Sequence, residues 1–437
     1  MEEASKRILG SVEIPKEIVE SIEASVKHIA DFGKKIEEYA NQDTTKLLDV
    51  ILAGAIVLQA SDVHIEPQGD KIRLRSRIDG ILQDAALLDQ TVYHNLLSRI
   101  KLLSKIKLNI TDAPQDGRFT ILAKDLLVEI RTSSLPAEYG ESIVMRVLNP
   151  KNLRGLEDLE LRKDLHDIFQ KEIKRPNGMI IITGPTGAGK TTSLYAFLMK
   201  LQTPEIKIIT IEDPIEYHIQ GVSQTQVAPE KGYNFAEGLK SIVRQDPDII
   251  LVGEIRDLET AQIALQAALT GHLVLSTLHT NDAPGAVPRL VDLGAEPSSI
   301  ASGIKMIIGQ RLVRKACKKC SVFSKPSASE LSEIKKGLHS LPKHIEVPDL
   351  GKMKIAKTSE KGCKECNFTG YNGRKGLYEA LLVTEDIERF ILTNPPVSAI
   401  KEKAVKNGMV TLYQSGLIEV ALGVTTLEEL KKAVEAD

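Results

Sequence analysis

The chain has 437 residues, 42% of them hydrophobic and 27% charged, with a formal net charge of −2. That length suits about three ordinary domains, and the charge balance excludes a global basic bias toward nucleic acid or anionic membrane. The start, MEEASKR, is polar and shows no signal pattern, and the most apolar run, residues 47–60, carries Asp49 and falls short of the roughly 20 residues that a membrane helix needs. Direct membrane insertion is therefore not expected.

Residues 1–42 are charge-rich, with helical spacing at Ile18, Ile22, Val26 and Ile29, and read as an exposed helical arm. A second helix over about 44–60 carries one apolar stripe through Leu47, Leu48, Ile51, Leu52, Ala55 and Ile56. Alternating segments follow ("SDVHIEP", "KIRLRSRIDGIL", "GRFTIL", "LLVEIRTSSLP", "ESIVMRVL"), with a helix near 90–107 among them. Residues 43–150 thus predict a compact α+β domain, and 151–160 a linker.

From residue 161 to 437 short apolar strands, 178–183, 207–211, 247–253 and 272–277, alternate with helical patterns. Such alternation predicts parallel βαβ units, an α/β domain around a central sheet. The first strand breaks into Gly184, Pro185, Thr186, Gly187, Ala188, Gly189, Lys190, Thr191 and Thr192, the Gly-x-x-x-x-Gly-Lys-Thr pattern between strand and helix. In that setting backbone N–H groups cradle phosphates, Lys190 reaches the β- and γ-phosphates and the Thr191 hydroxyl ligates Mg²⁺. ATP and Mg²⁺ are the expected ligands.

Hydrolysis also needs a carboxylate beside the γ-phosphate. "PDIILVGEIRD" delivers Glu254 to the carboxyl edge of the sheet, where it would polarise water or help hold Mg²⁺. Gly253 stands where many such enzymes carry Asp. A further strand ends at Glu212, Asp213 and Glu216, three carboxylates that can position water and metal. "TGHLVLSTLHTND" supplies His279 after a strand, where a γ-phosphate sensor would sit, and His272 before it, which reads equally as structural.

Cys317 and Cys320, with Cys363 and Cys366, form two Cys-x-x-Cys knuckles. Each pair can share one tetrahedral ion, so together they predict a closed structural Zn²⁺ site in an insertion at about 314–376. A redox dithiol pair and simply buried cysteines are the competing readings. The spacer is polar and reads as irregular over 325–352, and the aromatic interleaving that stacks bases is absent.

Together, "GPTGAGKTT", "ITIEDPIEY", "RQDPDIILVGEIRDLETAQIALQAALTGHLVLSTLHTN" and "QRLVRKAC" resemble the secretion ATPases of type II secretion and type IV pilus assembly. "ASDVHIEP", "RSRIDG", "QDGRF" and "IRTSSLPAEYGESIVMRVL" extend the resemblance upstream, so it runs from about residue 44 to the end. It implies a hexameric cytoplasmic motor: a RecA-like ATPase domain with a zinc-binding insertion, preceded by a small PAS-like α+β domain. The acidic box then falls on Glu212, Asp213 and Glu216, the Walker B glutamate on Glu254 and the histidine box on His272 and His279. Arg131 and Arg146 match arginines that clasp phosphates, and Arg244 matches another basic position. Lys240 and Glu237 depart from positions where arginine is common.

The resemblance also implies an inner-membrane platform protein as partner, peripheral localisation through it, and extension rather than retraction, since retraction ATPases lack the four cysteines. About 42 residues precede the matching region, fewer than the extra N-terminal domains of larger members, so cyclic dinucleotide binding is not expected. The competing function is a RecA-like nucleic-acid translocase, disfavoured by neutral charge and sparse aromatics. A nonhydrolysing nucleotide-gated scaffold is disfavoured by intact Lys190, Thr191 and Glu254.

Overall fold

A computed structural model describes residues 11–40 and 42–434. They divide into two compact units, one comprising residues up to Asn152 together with Cys317–Cys320 and Ser359–Asn372, the other the rest.

The first unit is built on seven strands: β1 (Ser11–Ile14), β2 (Asp62–Gln68), β3 (Lys71–Ile78), β4 (Ile81–Asp89), β5 (Gln115–Ala123), β6 (Leu126–Ala137) and β7 (Gly140–Leu148). Their spatial order is β1-β5-β6-β7-β2-β3-β4. Among the described residues of this sheet only the β1–β5 pair is parallel. The two-residue period sorts the faces. In β3, Ile72, Leu74 and Ile78 are buried while Arg73, Arg75 and Arg77 occupy the opposite face.

Helices Ile29–Ala40 and Thr44–Val57 pack with the apolar face of this sheet in one core. Gly33 lies so close to β4 that a Cβ would stand 2.1 Å from the Ala85 carbonyl oxygen, and Gly54 likewise makes room for Phe32. The run read as an exposed arm is therefore corrected. Val19, Ile22, Val26, Ile29, Phe32 and Ile36 are all buried in that core. Val19 and Ile22 lie on the Lys16–Ser25 helix, Val26 caps its end, and Ile29, Phe32 and Ile36 lie on the Ile29–Ala40 helix, each helix turning its apolar side to the core and its charged residues outward.

The second unit carries β8 (Gly178–Thr183), β9 (Ile208–Glu212), β10 (Ser223–Gln226), β11 (Ile249–Val252), β12 (Leu273–Leu278), β13 (Ile304–Ala316) and a small antiparallel ribbon of β14 (Val322–Ser324) with β15 (Ile355–Lys357). The last strand is β16 (Tyr371–Leu382). The main sheet runs β10-β9-β11-β12-β8-β13-β16. Every pairing from β10 through β13 is parallel. β8, β11 and β12 are buried throughout, as expected of strands covered on both faces.

The spacer between the cysteine pairs is more regular than its polarity suggested: Ala328–Leu338 is a helix with a Ser327/Glu330 capping box. No helix among the described residues is long and apolar enough to cross a membrane.

Candidate nucleotide site and metal centre

The apolar β8 ends at Thr183, and the chain turns through Gly184–Gly189 into the Lys190–Leu201 helix. Gly187 and Gly189 adopt φ of 82° and 84°, which places their amide groups where a side-chain-bearing residue would be strained. Lys190 Nζ donates to the carbonyl oxygens of Gly184 at 2.7 Å and Pro185 at 3.2 Å, folding back over the loop. Burial pulls its pKa down to about 8, with Glu254 opposing the shift and Arg311 adding to it. A phosphate arriving here would supply the counter-charge that this ammonium lacks.

Beyond the carboxyl end of β11, Glu254 is bonded to Arg256, whose guanidinium also stands 3.9 Å from Asp213 Oδ2. His279, just after β12, brings Nε2 to 3.4 Å from Glu254 Oε2. Burial, together with the charge of Lys190, holds the imidazole below its usual pKa. Lys190, Glu254 and His279 thus gather at one edge of the sheet, where ligands bind in open parallel sheets. The loop bearing His279 is pinned at both ends. The Thr280 amide donates to Thr183 Oγ1 at 2.8 Å, and the Ala283 amide to buried Glu379 at 2.6 Å.

The acidic turn divides. Glu212 is buried, and its carboxylate accepts from Tyr195, from Thr210 at 2.6 Å and from Gln224 at 3.2 Å. Burial pushes its pKa up despite these bonds. This carboxylate ties the Lys190–Leu201 helix to β9 and β10. Asp213 is exposed beside Arg256, and Glu216 is half-buried.

Two candidates lie elsewhere. His272 precedes β12, with Nδ1 3.0 Å from the Ala267 oxygen, a whole strand (roughly 20 Å) from the carboxyl edge. Arg244, at the end of the Phe235–Val243 helix, is exposed and reaches Ser241. The two departures meet each other: Lys240 pairs with Glu237 at 2.8 Å and with Glu259 at 2.6 Å. Arg131 and Arg146 belong to the first unit, directly opposite one another on β6 and β7.

Three contributors carry no motif signal of their own. Arg256 lies in "GEIRD" with nothing in the spacing to single it out. Gln310 and Arg311 sit on β13, whose mixed polarity hid it as a strand. Gln310 is 1% exposed, and its Nε2 donates to the Ala188 carbonyl at 2.9 Å. Its backbone oxygen lies 2.5 Å from where a Gly184 Cβ would be, so Gly184 is what lets the loop rest on β13.

The four cysteines converge. Their sulfur atoms all lie within 4.8 Å of one another, and Cys317–Cys363, Cys320–Cys366 and Cys363–Cys366 are each separated by 3.8 Å. Four thiolates held tetrahedrally at about 2.3 Å from zinc would be about 3.8 Å apart, so the cluster fits that ion. Amides of Cys363 and Gly370 point at Cys366 Sγ at 3.1 and 3.2 Å, as suits a thiolate.

A phosphate loop on a parallel sheet, with a glutamate and a histidine converging on its lysine, defines the chain as a phosphate-loop ATPase. It belongs to the family of type II/IV secretion system proteins, whose family model matches residues 37–432. It is 41% identical over 391 residues to the type II secretion system ATPase E of Vibrio cholerae, covering 89% of this chain and 75% of that protein. It is 38% identical over 426 residues to the type IV pilus assembly ATPase PilB of Thermus thermophilus, covering 97% of this chain but 46% of that longer protein. Among solved structures, the pilus retraction motor PilT with bound ADP matches at 26% identity and a TM-score of 0.58, over 87% of this chain and 95% of that one.

Proposed function

We propose that this chain is the hexameric cytoplasmic motor of a type II secretion or type IV pilus assembly system, coupling Mg-ATP hydrolysis to addition of pilin-like subunits. The observation that carries this reading is the convergence of Lys190, Glu254 and His279 at one sheet edge. In this reading the second unit is a RecA-like motor domain and the first a PAS-like α+β domain. Phosphates rest on the Gly184–Gly189 amides, Lys190 offsets their charge and the Thr191 hydroxyl holds Mg²⁺. Glu254, released from Arg256, orients the attacking water, and His279 reads the terminal phosphate. Asp213 and Glu216 add carboxylates at the acidic turn. Arg131 and Arg146 bring guanidinium forks to nucleotide held by an adjacent protomer.

Cys317, Cys320, Cys363 and Cys366 hold structural Zn²⁺, which lends stability to the insertion. Assembly is favoured over retraction by the four-cysteine cluster and by the assembly ATPases among its relatives. The partner is an inner-membrane platform protein, through which the motor is peripheral to that membrane. The test is steady-state Mg-ATP hydrolysis with and without single- and double-stranded DNA. Turnover indifferent to DNA is expected; strong stimulation by DNA would replace this reading with a nucleic-acid translocase.

A further inference from the structure

The strand register of the first unit brings charged residues into a row that sequence spacing does not reveal. Arg118 on β5 is directly opposite Arg131 on β6, and Arg131 is opposite Arg146 on β7. Arg146 in turn faces Asp62 on β2, which faces Arg77 on β3. Residues paired in this way share one face of the sheet and start about 5 Å apart. The row lies on the face opposite the apolar core, since its neighbours Phe119, Ile130, Met145 and Val63 are the buried ones.

Like charges directly opposite one another across strands destabilise a sheet. Arg146 Nε is 3.1 Å from Asp62 Oδ1, an aspartate that also lies 3.5 Å from Arg77. Arg131 Nε is 3.2 Å from Glu129 Oε1. Arg77, Arg131 and Arg146 each have a carboxylate within 4 Å. Arg118 is exposed and makes no ion pair among the described residues, its charged neighbour along β5 being Asp116 two positions away. A third guanidinium beside Arg131 costs stability in the chain alone, and a bound polyanion would reverse that cost.

We infer that Arg118 is a third phosphate-binding arginine, extending the Arg131–Arg146 pair so that one row of guanidinium groups meets the polyphosphate of ATP. The inference rests on the proposed role of Arg131 and Arg146, and it adds a residue that carries its charge at the exposed end of the row. Arginine suits the position because its planar fork pairs two phosphate oxygens while staying charged.

The test compares full-length Arg118→Ala, Arg118→Lys and Arg131→Ala proteins for ATP kcat, KM and melting temperature. Arg118→Ala should lower kcat/KM about tenfold while leaving the melting temperature unchanged or slightly raised, because a repulsive neighbour has been removed. Arg118→Lys should recover part of the loss, keeping the charge but not the fork. If Arg131→Ala loses activity and Arg118→Ala keeps wild-type kcat and KM, this inference is wrong and the Arg131–Arg146 reading stands. If Arg131→Ala is itself fully active, that reading fails and takes the third arginine with it. Loss of activity in Arg118→Ala accompanied by a fall in melting temperature would assign Arg118 to the fold and overturn the inference.

Discussion

At the scale of single residues, the nucleotide loop is held by bonds from outside its own motif. Gln310 donates to the Ala188 carbonyl from a position that is 1% exposed. Removing a buried donor leaves that acceptor unpaired, at a cost of about 1–3 kcal/mol. Gln310→Met, similar in volume but without the donor, should raise the KM for ATP about tenfold and lower the melting temperature by a few degrees. An unchanged KM in the folded variant would release Gln310 from this role. Asp49 tests a different balance. Burial raises its pKa from 3.8 to about 6, against the pull of Arg99 and with help from Asp43. Because the folded pKa is the higher one, protonation favours the folded state below pH 3.8, and that contribution is lost as pH rises through about 6. The charged form therefore costs the fold about 3 kcal/mol at neutral pH. Asp49→Asn should raise the melting temperature by a few degrees at pH 7.5 and leave it unchanged near pH 4. Equal shifts at both pH values would exclude the titration.

At the scale of elements, the cysteine knuckles belong to the same compact unit as the N-terminal helices. Asn367 Oδ1 accepts from the Ile29 amide at 2.7 Å, capping the Ile29–Ala40 helix from 338 positions away. Phe368 stacks edge-on against His28 with ring centroids 5.7 Å apart. A helix cap contributes about 1 kcal/mol, so the helix start and the metal loop should be linked. Chelating the zinc proposed at the four cysteines of the full-length protein should raise amide hydrogen exchange at residues 29–33. Asn367→Ala should do the same while retaining the metal. Exchange indifferent to both changes would show that the contact carries no coupling. These elements also mark how far the sequence could be read. The phosphate loop, Glu254 and the cysteine pairs were legible because each is a local spacing with its own chemistry. The strands β8, β9, β11 and β12 were legible as short apolar runs. β13 was not, because Gln310, Arg311, Arg314 and Lys315 break its apolar pattern, and the burial of Gln310 and Arg311 is set by neighbours distant in sequence. The N-terminal helices were misread as exposed for the same kind of reason: the surface their stripe covers is formed by strands much further along the chain.

At the scale of the whole molecule, the sheet order places the loop-bearing strand β8 between β12 and β13. Its neighbours supply His279 from one side and Gln310 from the other, so a single layer of parallel strands assembles the site. His272, at the opposite end of β12, has no access to that edge within one chain, which limits the two histidines to different tasks. A motor of this kind should associate into a ring. Native mass measurement with Mg²⁺ and ATP is expected to show six copies, and a protein that stays monomeric with nucleotide bound would contradict the ring. Everything proposed for this motor depends on Glu254 serving the hydrolytic step on ATP held by the Gly184–Thr192 loop. The direct measurement is to follow ATP binding and steady-state turnover side by side in wild-type and Glu254→Gln proteins. The variant is expected to keep nucleotide affinity within a few-fold of wild type and to lose turnover by at least about a hundredfold. Wild-type turnover in the Glu254→Gln protein would contradict it.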